Sequence, residues 1–262
     1  MYLFKRNDFA LLTSLKANVR RIHNAQVKGI ENKEQFFIGK NIIGYPALCF
    51  ITKDGKHIGW SDAVLERNGK KLPFLQVRTD VEKNIPHVFE TFKPEIVVDF
   101  GTASGGSAIF TYELLSKYCQ PKILTIDITD ADVVSAKEFH DAYKTTEKIQ
   151  SLYGKSSLDC VDEVKAFIAS RTPGKKVLFS FDNDHSYEHT YKELTTYGPL
   201  LQSGDIIMMQ DTWDQSLYGH ETSPMLAVER FLSENKDFKL AEDFLKKLQI
   251  PCNFIYGILE KK

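Results

Sequence analysis

The sequence has few cysteines and no long apolar run, and each absence excludes a class of protein. Its four cysteines lie far apart among 262 residues and form no CxxC pair, a spacing that fits neither a zinc site nor a disulfide framework. No stretch approaches the roughly 18 apolar residues of a membrane span. Charged residues interrupt the amino-terminal segment where a signal peptide would be apolar. We therefore expect a cytoplasmic protein with reduced cysteines.

An excess of charge of either sign is also lacking. Lys and Arg number 34 against 35 Asp and Glu, a formal net charge of -1. Nucleic-acid-binding domains usually carry a clear basic excess, so we expect no nucleic-acid partner. Hydrophobic residues make up 42% of the chain and charged residues 26%, which is typical of a globular protein able to bury a sizeable core.

The first 80 residues differ in pattern from the rest. Apolar residues recur every three or four positions over 8–27, which predicts a helix. Its basic character indicates either a membrane-surface helix or, as we favour, a helix packed on the body of the protein or on a second copy in a homo-oligomer. Asp54-Gly55 and Asn68-Gly69 predict turns between short strands. We interpret 1–80 as an appendage, a lid or an oligomer contact, to a domain over 81–262.

Strands and helices alternate from residue 86 onwards, which predicts an α/β fold. The strands are continuous apolar runs, as expected of a parallel sheet covered by helices on both faces. Strands are predicted at 95–101, 122–128, 149–154, 175–182 and 204–211, with closing extended runs centred on 238–244 and 254–259. Helices are predicted at 86–92, 107–118, 130–143, 159–170, 186–201 and 223–235.

Polar, turn-forming residues follow several of these strands, where open parallel sheets bind ligands. The first loop, GTASGG over 101–106, lets a ligand approach the backbone closely and leads into a helix whose free N–H groups can bind it. Asp127 ends the next strand, where a carboxylate can accept both hydroxyls of a ribose. The glycine spacing is not that of the dinucleotide GxGxxG motif. The alternative is that the loop is only a tight turn and that Asp127 only places a negative charge at the start of a helix. Together these features favour a nucleoside cofactor.

A second group of acids predicts a metal site. Asp182, Asp184 and His185 follow one strand and Asp211 ends another, and carboxylates this close repel unless a cation or a proton lies between them. Oxygen ligands of this kind suit Mg²⁺ or Mn²⁺. The alternative is that Asp184 or Ser186 caps the next helix, which would leave the other acids unexplained.

Residues 86–262 resemble the cephalosporin hydroxylase / rhamnosyl O-methyltransferase family. The resemblance implies a Rossmann-like class I methyltransferase fold with a mainly parallel seven-stranded sheet, and S-adenosyl-L-methionine as cofactor. DNDHS and GDIIMMQDT are its most specific parts. The segments that carry it are, in order, GTASGGS, ILTIDI, the serine and acid around Ser156–Asp159, VLFSFDNDHSYEH, LTTYGPLLQSGDIIMMQDT and PMLAVERFLSENKDF.

The resemblance also implies roles for individual residues. Gly101, Gly105 and Ser107 would line the methionine end of the cofactor. Asp127 would hold the ribose, and Ser157 and Asp159 would lie near the adenine. The metal would be bound by Asp182, Gln210 and Asp211, although the family usually has Glu where this chain has Gln210. The full implied set of cofactor contacts is Asp99, Gly101, Thr102, Ser104, Gly105, Ser107, Asp127, Ile128, Ser157, Asp159 and Asp182.

His185 is the candidate catalytic base. It stands three residues after the first metal aspartate, the offset at which catechol-type methyltransferases carry a catalytic lysine, and imidazole has an unperturbed pKa of about 6.5. The alternative is a solvent-facing residue at a helix start. His189 and His220 are weaker candidates.

Together with these features, the resemblance implies a metal-assisted O-methyltransferase. It also implies that the acceptor is an oxygen on a sugar, a surface polysaccharide component or its anionic decoration, or a secondary metabolite. Two other functions stay open. Asp182-Asn183-Asp184 also matches the aspartate–x–aspartate motif of metal-dependent nucleotide-sugar glycosyltransferases, and the chain could be a non-catalytic subunit with the same fold.

Overall fold

The structure is a computed structural model. It describes residues 80–103, 105–128, 147–212, 224–248, 254 and 257–262 in full, together with the backbones of five strands between residues 33 and 74. The helices predicted over 8–27 and 130–143, and also Ser104 and His220, lie outside the described residues. None of the helices in the described ranges is long and apolar enough to cross a membrane.

The five amino-terminal strands form two small antiparallel sheets. Strands β2 and β3 pair across residues 53–56, and β4 and β5 pair across residues 68 and 69, as expected for the two predicted turns. Strand β1, which the sequence pattern did not predict, pairs with β2. The division of the chain at residue 80 remains a prediction. The bounds are β1 Lys33–Lys40, β2 Pro46–Thr52, β3 His57–Ile58, β4 Ala63–Arg67 and β5 Lys70–Phe74.

The remaining strands form one seven-stranded sheet in the order β11-β12-β10-β9-β6-β7-β8. Strands β8, β7, β6, β9 and β10 are parallel neighbours, and β12 lies antiparallel to both β10 and β11. This arrangement confirms the predicted α/β fold with a mainly parallel sheet. The bounds are β6 Pro94–Phe100, β7 Lys122–Asp127, β8 Ile149–Tyr153, β9 Lys176–Phe181, β10 Ile206–Met209, β11 Phe238–Leu240 and β12 Ile258–Lys261.

Helices connect these strands and cover the sheet. Every residue of β6 is buried, so both faces are covered at the centre of the sheet. A π-helical turn over Asp80–Asn84 precedes α1, and a 3₁₀ turn over Ser157–Asp159 precedes α3. The helix bounds are α1 Ile85–Phe92, α2 Gly106–Leu115, α3 Val161–Ile168, α4 Tyr187–Tyr197, α5 Pro224–Glu234 and α6 Glu242–Leu245.

The predicted extended run over 238–244 is wrong in its second half. Strand β11 ends at Leu240 and the short helix α6 begins at Glu242. Glu242 and Asp243 occupy the first turn of α6, where negative charge is stabilised by the helix dipole. The last strand also begins later than predicted, at Ile258 instead of residue 254.

A buried ion pair ties the loop before β9 to the loop before β10. Arg171 Nη1 donates to both carboxylate oxygens of Asp205, at 3.0 and 2.8 Å. The same carboxylate accepts the backbone N–H groups of Val177 and Gln202 at 2.8 and 2.7 Å. Asp205 is 1% exposed, so its charge is compensated by these four hydrogen bonds and hardly by water.

We expect Asp205→Ala to lower the free energy of unfolding by about 3–5 kcal/mol, because it leaves Arg171 without its partner in a buried position. Urea denaturation measures this change. The control is Asp162→Ala, which removes the exposed ion pair with Lys165 and should leave stability unchanged within error. Equal effects of the two substitutions would contradict this interpretation of the Asp205 cluster.

Candidate functional site

The glycine loop after β6 is packed directly against the chain after β9. Gly101 has a φ of +110°, and a Cβ added there would lie 2.2 Å from the backbone oxygen of Asp182. Asp182 N–H donates to the Phe100 carbonyl at 2.8 Å. Only glycine fits this position, because a side chain would collide with fixed backbone and the φ angle is unfavourable for it. Two predicted site segments, the loop and Asp182, therefore meet.

Asp99 lies beneath this loop and is buried. It accepts hydrogen bonds from Ser107 Oγ at 2.8 Å and Thr125 Oγ1 at 3.2 Å. Thr125 in turn lies 2.6 Å from Thr102 Oγ1. Burial raises the pKa of Asp99 to about 6 despite the hydrogen bonds from Ser107 and Thr125. These side chains connect β6, β7 and α2 below the loop.

A cavity of about 410 Å³ opens at the carboxyl ends of β6, β7 and β9. Ala103 N–H donates to Asp127 Oδ2 at 2.8 Å, which joins the glycine loop to the end of β7. Five predicted cofactor residues line the cavity, namely Gly101, Asp127, Ile128, Ser157 and Asp182. Five others are not part of its lining, namely Asp99, Thr102, Gly105, Ser107 and Asp159. Their roles remain predictions, as does that of Ser104.

One wall of the cavity contains residues that the sequence motifs did not single out as cofactor contacts. Asn183 and His189 line it, together with Ser157. Behind them lies Glu193, which is 0% exposed. Glu193 and His189 are four residues apart on α4 and share one helix face. The hydrogen bond to Glu193 raises the pKa of His189 above its usual value.

The second group of predicted residues forms a cluster next to the cavity. One side-chain ligand atom from each of Asp182, His185 and Asp211 lies within 4.8 Å of the others. His185 Nδ1 lies 3.2 Å from Asp211 Oδ2. Asp182 belongs both to this cluster and to the lining of the cavity. The structure thus brings together the ends of β9 and β10, as predicted.

Gln210 and Asp211 follow β10, and each has a buried side-chain oxygen without a hydrogen-bond partner among the described residues, namely Gln210 Oε1 and Asp211 Oδ1. Asp211 also has a φ of +53°, which costs energy in a residue other than glycine. Buried acceptors of this kind are costly unless something satisfies them. A divalent cation would do so, and the residues present therefore fit one.

Asp184 does not belong to the cluster. Its Oδ1 accepts the Ser186 N–H at 2.8 Å, and Ser186 Oγ accepts the His189 N–H at 3.3 Å. Both residues therefore stabilise the start of α4, as the helix-capping alternative predicted. Helix capping therefore explains Asp184 but not Asp182 and Asp211, which belong to the cluster.

The raised pKa of Asp99 makes stability depend on pH. The unfolded carboxyl ionises near its ordinary value of 3.8 and the folded one near about 6, so the folded state binds more protons between these values. We expect the wild type to lose up to about 3 kcal/mol relative to Asp99→Asn as pH rises from about 4 to about 6.5. Urea denaturation across this range measures the difference, and a constant difference would contradict it.

Comparison with known proteins agrees with this fold. A family model described as Rhamnosyl O-methyltransferase/CmcI matches residues 70–259. Rhamnosyl O-methyltransferase of Mycobacterium tuberculosis (strain ATCC 25618 / H37Rv) is 27% identical over 142 residues, 54% of this chain and 54% of that protein. The protein of the same name from Mycobacterium leprae (strain TN) is 28% identical over 142 residues, 54% and 57% of the two chains. The chain spans about half the length of these relatives.

Two solved structures of CmcI share the fold. The apo-structure has a TM-score of 0.55 at 19% identity and covers 75% of this chain and 76% of its own. The Mg-SAM structure has a TM-score of 0.52 at 17% identity, with 76% of each chain covered. The seven-stranded sheet is that of the class I methyltransferases. Since the family model matches most of the chain, this protein belongs to the Rhamnosyl O-methyltransferase/CmcI family.

Proposed function

We propose that this chain is an S-adenosylmethionine-dependent O-methyltransferase assisted by a divalent metal ion. The observation that carries the proposal is the position of Asp182, which lines the cavity and also belongs to the Asp182–His185–Asp211 cluster. A donor in the cavity and an acceptor at the cluster would therefore be neighbours. Family membership supports the proposal, as do the rhamnosyl O-methyltransferases among its relatives and the Mg-SAM form of CmcI.

The cavity would bind the methyl donor. S-adenosylmethionine supplies an electrophilic methyl group on a sulfonium ion. Asp127 would bind the ribose hydroxyls from the end of β7, and Ser157 would lie on the adenine side. The backbone around Gly101 would approach the methionine end, which the absence of a side chain permits. Holding the donor in this way aligns its methyl group with the incoming oxygen.

The cluster would bind the metal and, through it, the acceptor. Asp182, Gln210 and Asp211 would hold Mg²⁺ or Mn²⁺ through side-chain oxygens. Such an ion lowers the pKa of a hydroxyl bound to it and fixes its direction. Because Gln210 is a neutral amide, this site carries one negative charge fewer than a site with glutamate at that position.

His185 would take the proton of the acceptor. Asp211 Oδ2, 3.2 Å from Nδ1, would orient the ring. When Nδ1 carries its hydrogen towards Asp211, Nε2 carries the lone pair of the neutral ring, which can accept a proton. One aspartate would thus serve the metal through Oδ1 and the base through Oδ2.

The acceptor we propose is a small molecule or glycan oxygen, on a sugar, a surface polysaccharide component or its anionic decoration, or a secondary metabolite. The relatives named Rhamnosyl O-methyltransferase support a sugar hydroxyl. We further propose that the reaction takes place in the cytoplasm and that residues 1–80 form a lid over the acceptor or a contact between copies.

Donor binding can be tested by calorimetry. We expect S-adenosylmethionine and S-adenosylhomocysteine to bind, and Asp127→Ala to weaken binding tenfold or more because the ribose loses a charged acceptor. Asp162→Ala, exposed on α3, is the matched control and should bind like the wild type. Tight binding of a UDP-sugar or NAD without binding of S-adenosylmethionine would overturn the proposal.

The metal site can be tested without an acceptor by titrating Mn²⁺ and recording its electron paramagnetic resonance. Asp182→Ala and Asp211→Ala each remove a ligand and should weaken Mn²⁺ binding tenfold or more. Asp184→Ala, in the same loop but outside the cluster, is the control. His185→Ala should weaken Mn²⁺ binding less than either ligand substitution, since we propose it as a base. An unchanged affinity of Asp211→Ala for Mn²⁺ would contradict the proposed metal site.

A further inference from the structure

We propose that Glu193 is a positioning residue that sets the hydrogen-bond polarity of the cavity wall and thereby selects adenine in the methyl donor. The inference rests on the proposed function, because it assumes that the cavity binds the adenine ring of the methyl donor. It concerns α4 and the two segments packed against it, and it involves neither the glycine loop nor the metal cluster.

One buried oxygen, Glu193 Oε1, lies within hydrogen-bond distance of three polar side chains of this wall. Glu193 Oε1 accepts from Ser157 Oγ at 2.5 Å and from Asn183 Nδ2 at 2.6 Å. His189 Nε2 lies 3.1 Å from the same oxygen. The three partners come from the 3₁₀ turn before α3, the loop after β9 and the first turn of α4, and all three line the cavity.

A carboxylate can only accept hydrogen bonds, so Glu193 determines which atoms its partners have left for a ligand. Asn183 must direct its amide nitrogen towards Glu193, and the group it can offer in the cavity is then the carbonyl oxygen Oδ1. The hydrogen of the Ser157 hydroxyl is likewise directed towards Glu193. The wall therefore presents an acceptor from Asn183, and this polarity is set from behind by a residue that does not line the cavity.

The free-energy cost of burying the Glu193 carboxylate indicates that this residue has a role beyond folding. Glu193 is 0% exposed, and its second oxygen, Oε2, is buried with no hydrogen-bond partner among the described residues. Buried charge is costly, and a well-packed apolar side chain is often as good for stability. The carboxylate is explained if it orients the groups that contact a ligand.

An acceptor in this wall suits the 6-amino group of adenine. The corresponding atom of hypoxanthine is a carbonyl oxygen, which would face Asn183 Oδ1 without a hydrogen between them. Leaving polar groups unpaired in this way discriminates strongly between ligands. We therefore expect the wild type to bind S-adenosylhomocysteine tenfold or more tightly than its deaminated analogue, S-inosylhomocysteine.

Calorimetry with these two ligands on the full chain tests the inference, and the readout is the ratio of their dissociation constants. Glu193→Gln should reduce the ratio to about threefold or less, because an amide satisfies Asn183 in either orientation. Asn183→Ala removes the acceptor itself and should reduce the ratio similarly. The control is Glu95→Gln, which alters a buried carboxylate that hydrogen-bonds Thr172 at the opposite end of β6 and should leave the ratio unchanged.

The outcomes separate the two proposals. If S-adenosylhomocysteine binds and the ratio is unchanged in Glu193→Gln or in Asn183→Ala, the role of Glu193 is wrong while the proposed function stands. If neither ligand binds the wild type, the proposed function fails and this inference fails with it. Should Glu193→Gln unfold, Asn183→Ala still decides whether the wall selects adenine through this acceptor.

Discussion

The contact between Gly101 and the backbone of Asp182 determines where both halves of the candidate site lie. Because Gly101 has no side chain, the end of β6 can lie against the chain leaving β9, and the space that a Cβ would need is occupied by the Asp182 carbonyl oxygen. Asp182 in turn lines the cavity and belongs to the acidic cluster. A residue with a side chain at 101 would force the two strand ends apart.

Four carboxylates near the ends of the strands differ in whether both of their oxygens have hydrogen-bond partners. At the amino-terminal ends of the strands, Glu95 and Asp205 accept hydrogen bonds with both carboxylate oxygens. At the carboxyl ends, Asp211 and Glu193 each have a buried oxygen without a partner among the described residues, and Asp211 has strained backbone. Such costs gather where a protein binds ligands.

The central strands could be predicted from the sequence because runs such as VLFSF must be buried on both faces of a parallel sheet. The meeting of Asp182 with Asp211 also followed, since neighbouring parallel strands end at the same edge. The short helix Glu242–Leu245 did not follow, because four residues carry too little periodicity to outweigh the extended pattern around them.

The hydrogen bonds that Glu193 makes behind the cavity wall could not be predicted either. Its partners Ser157 and Asn183 lie 36 and 10 residues away in the sequence, and hydrogen bonds between distant side chains produce no repeat or motif. Glutamate on a helix usually faces solvent, so Glu193 resembled a surface residue until packing buried it. The helix spacing of His189 and Glu193 was the one available signal.

The claim that the donor cavity and the metal cluster share Asp182 can be measured directly. Mn²⁺ bound at the cluster should strongly enhance the nuclear relaxation of the S-methyl protons of bound S-adenosylmethionine, whereas Mg²⁺ should not. Our account predicts this enhancement in the wild type and its loss in Asp182→Ala. Methyl relaxation that is no faster with Mn²⁺ than with Mg²⁺, while both Mn²⁺ and the donor are bound, would contradict it.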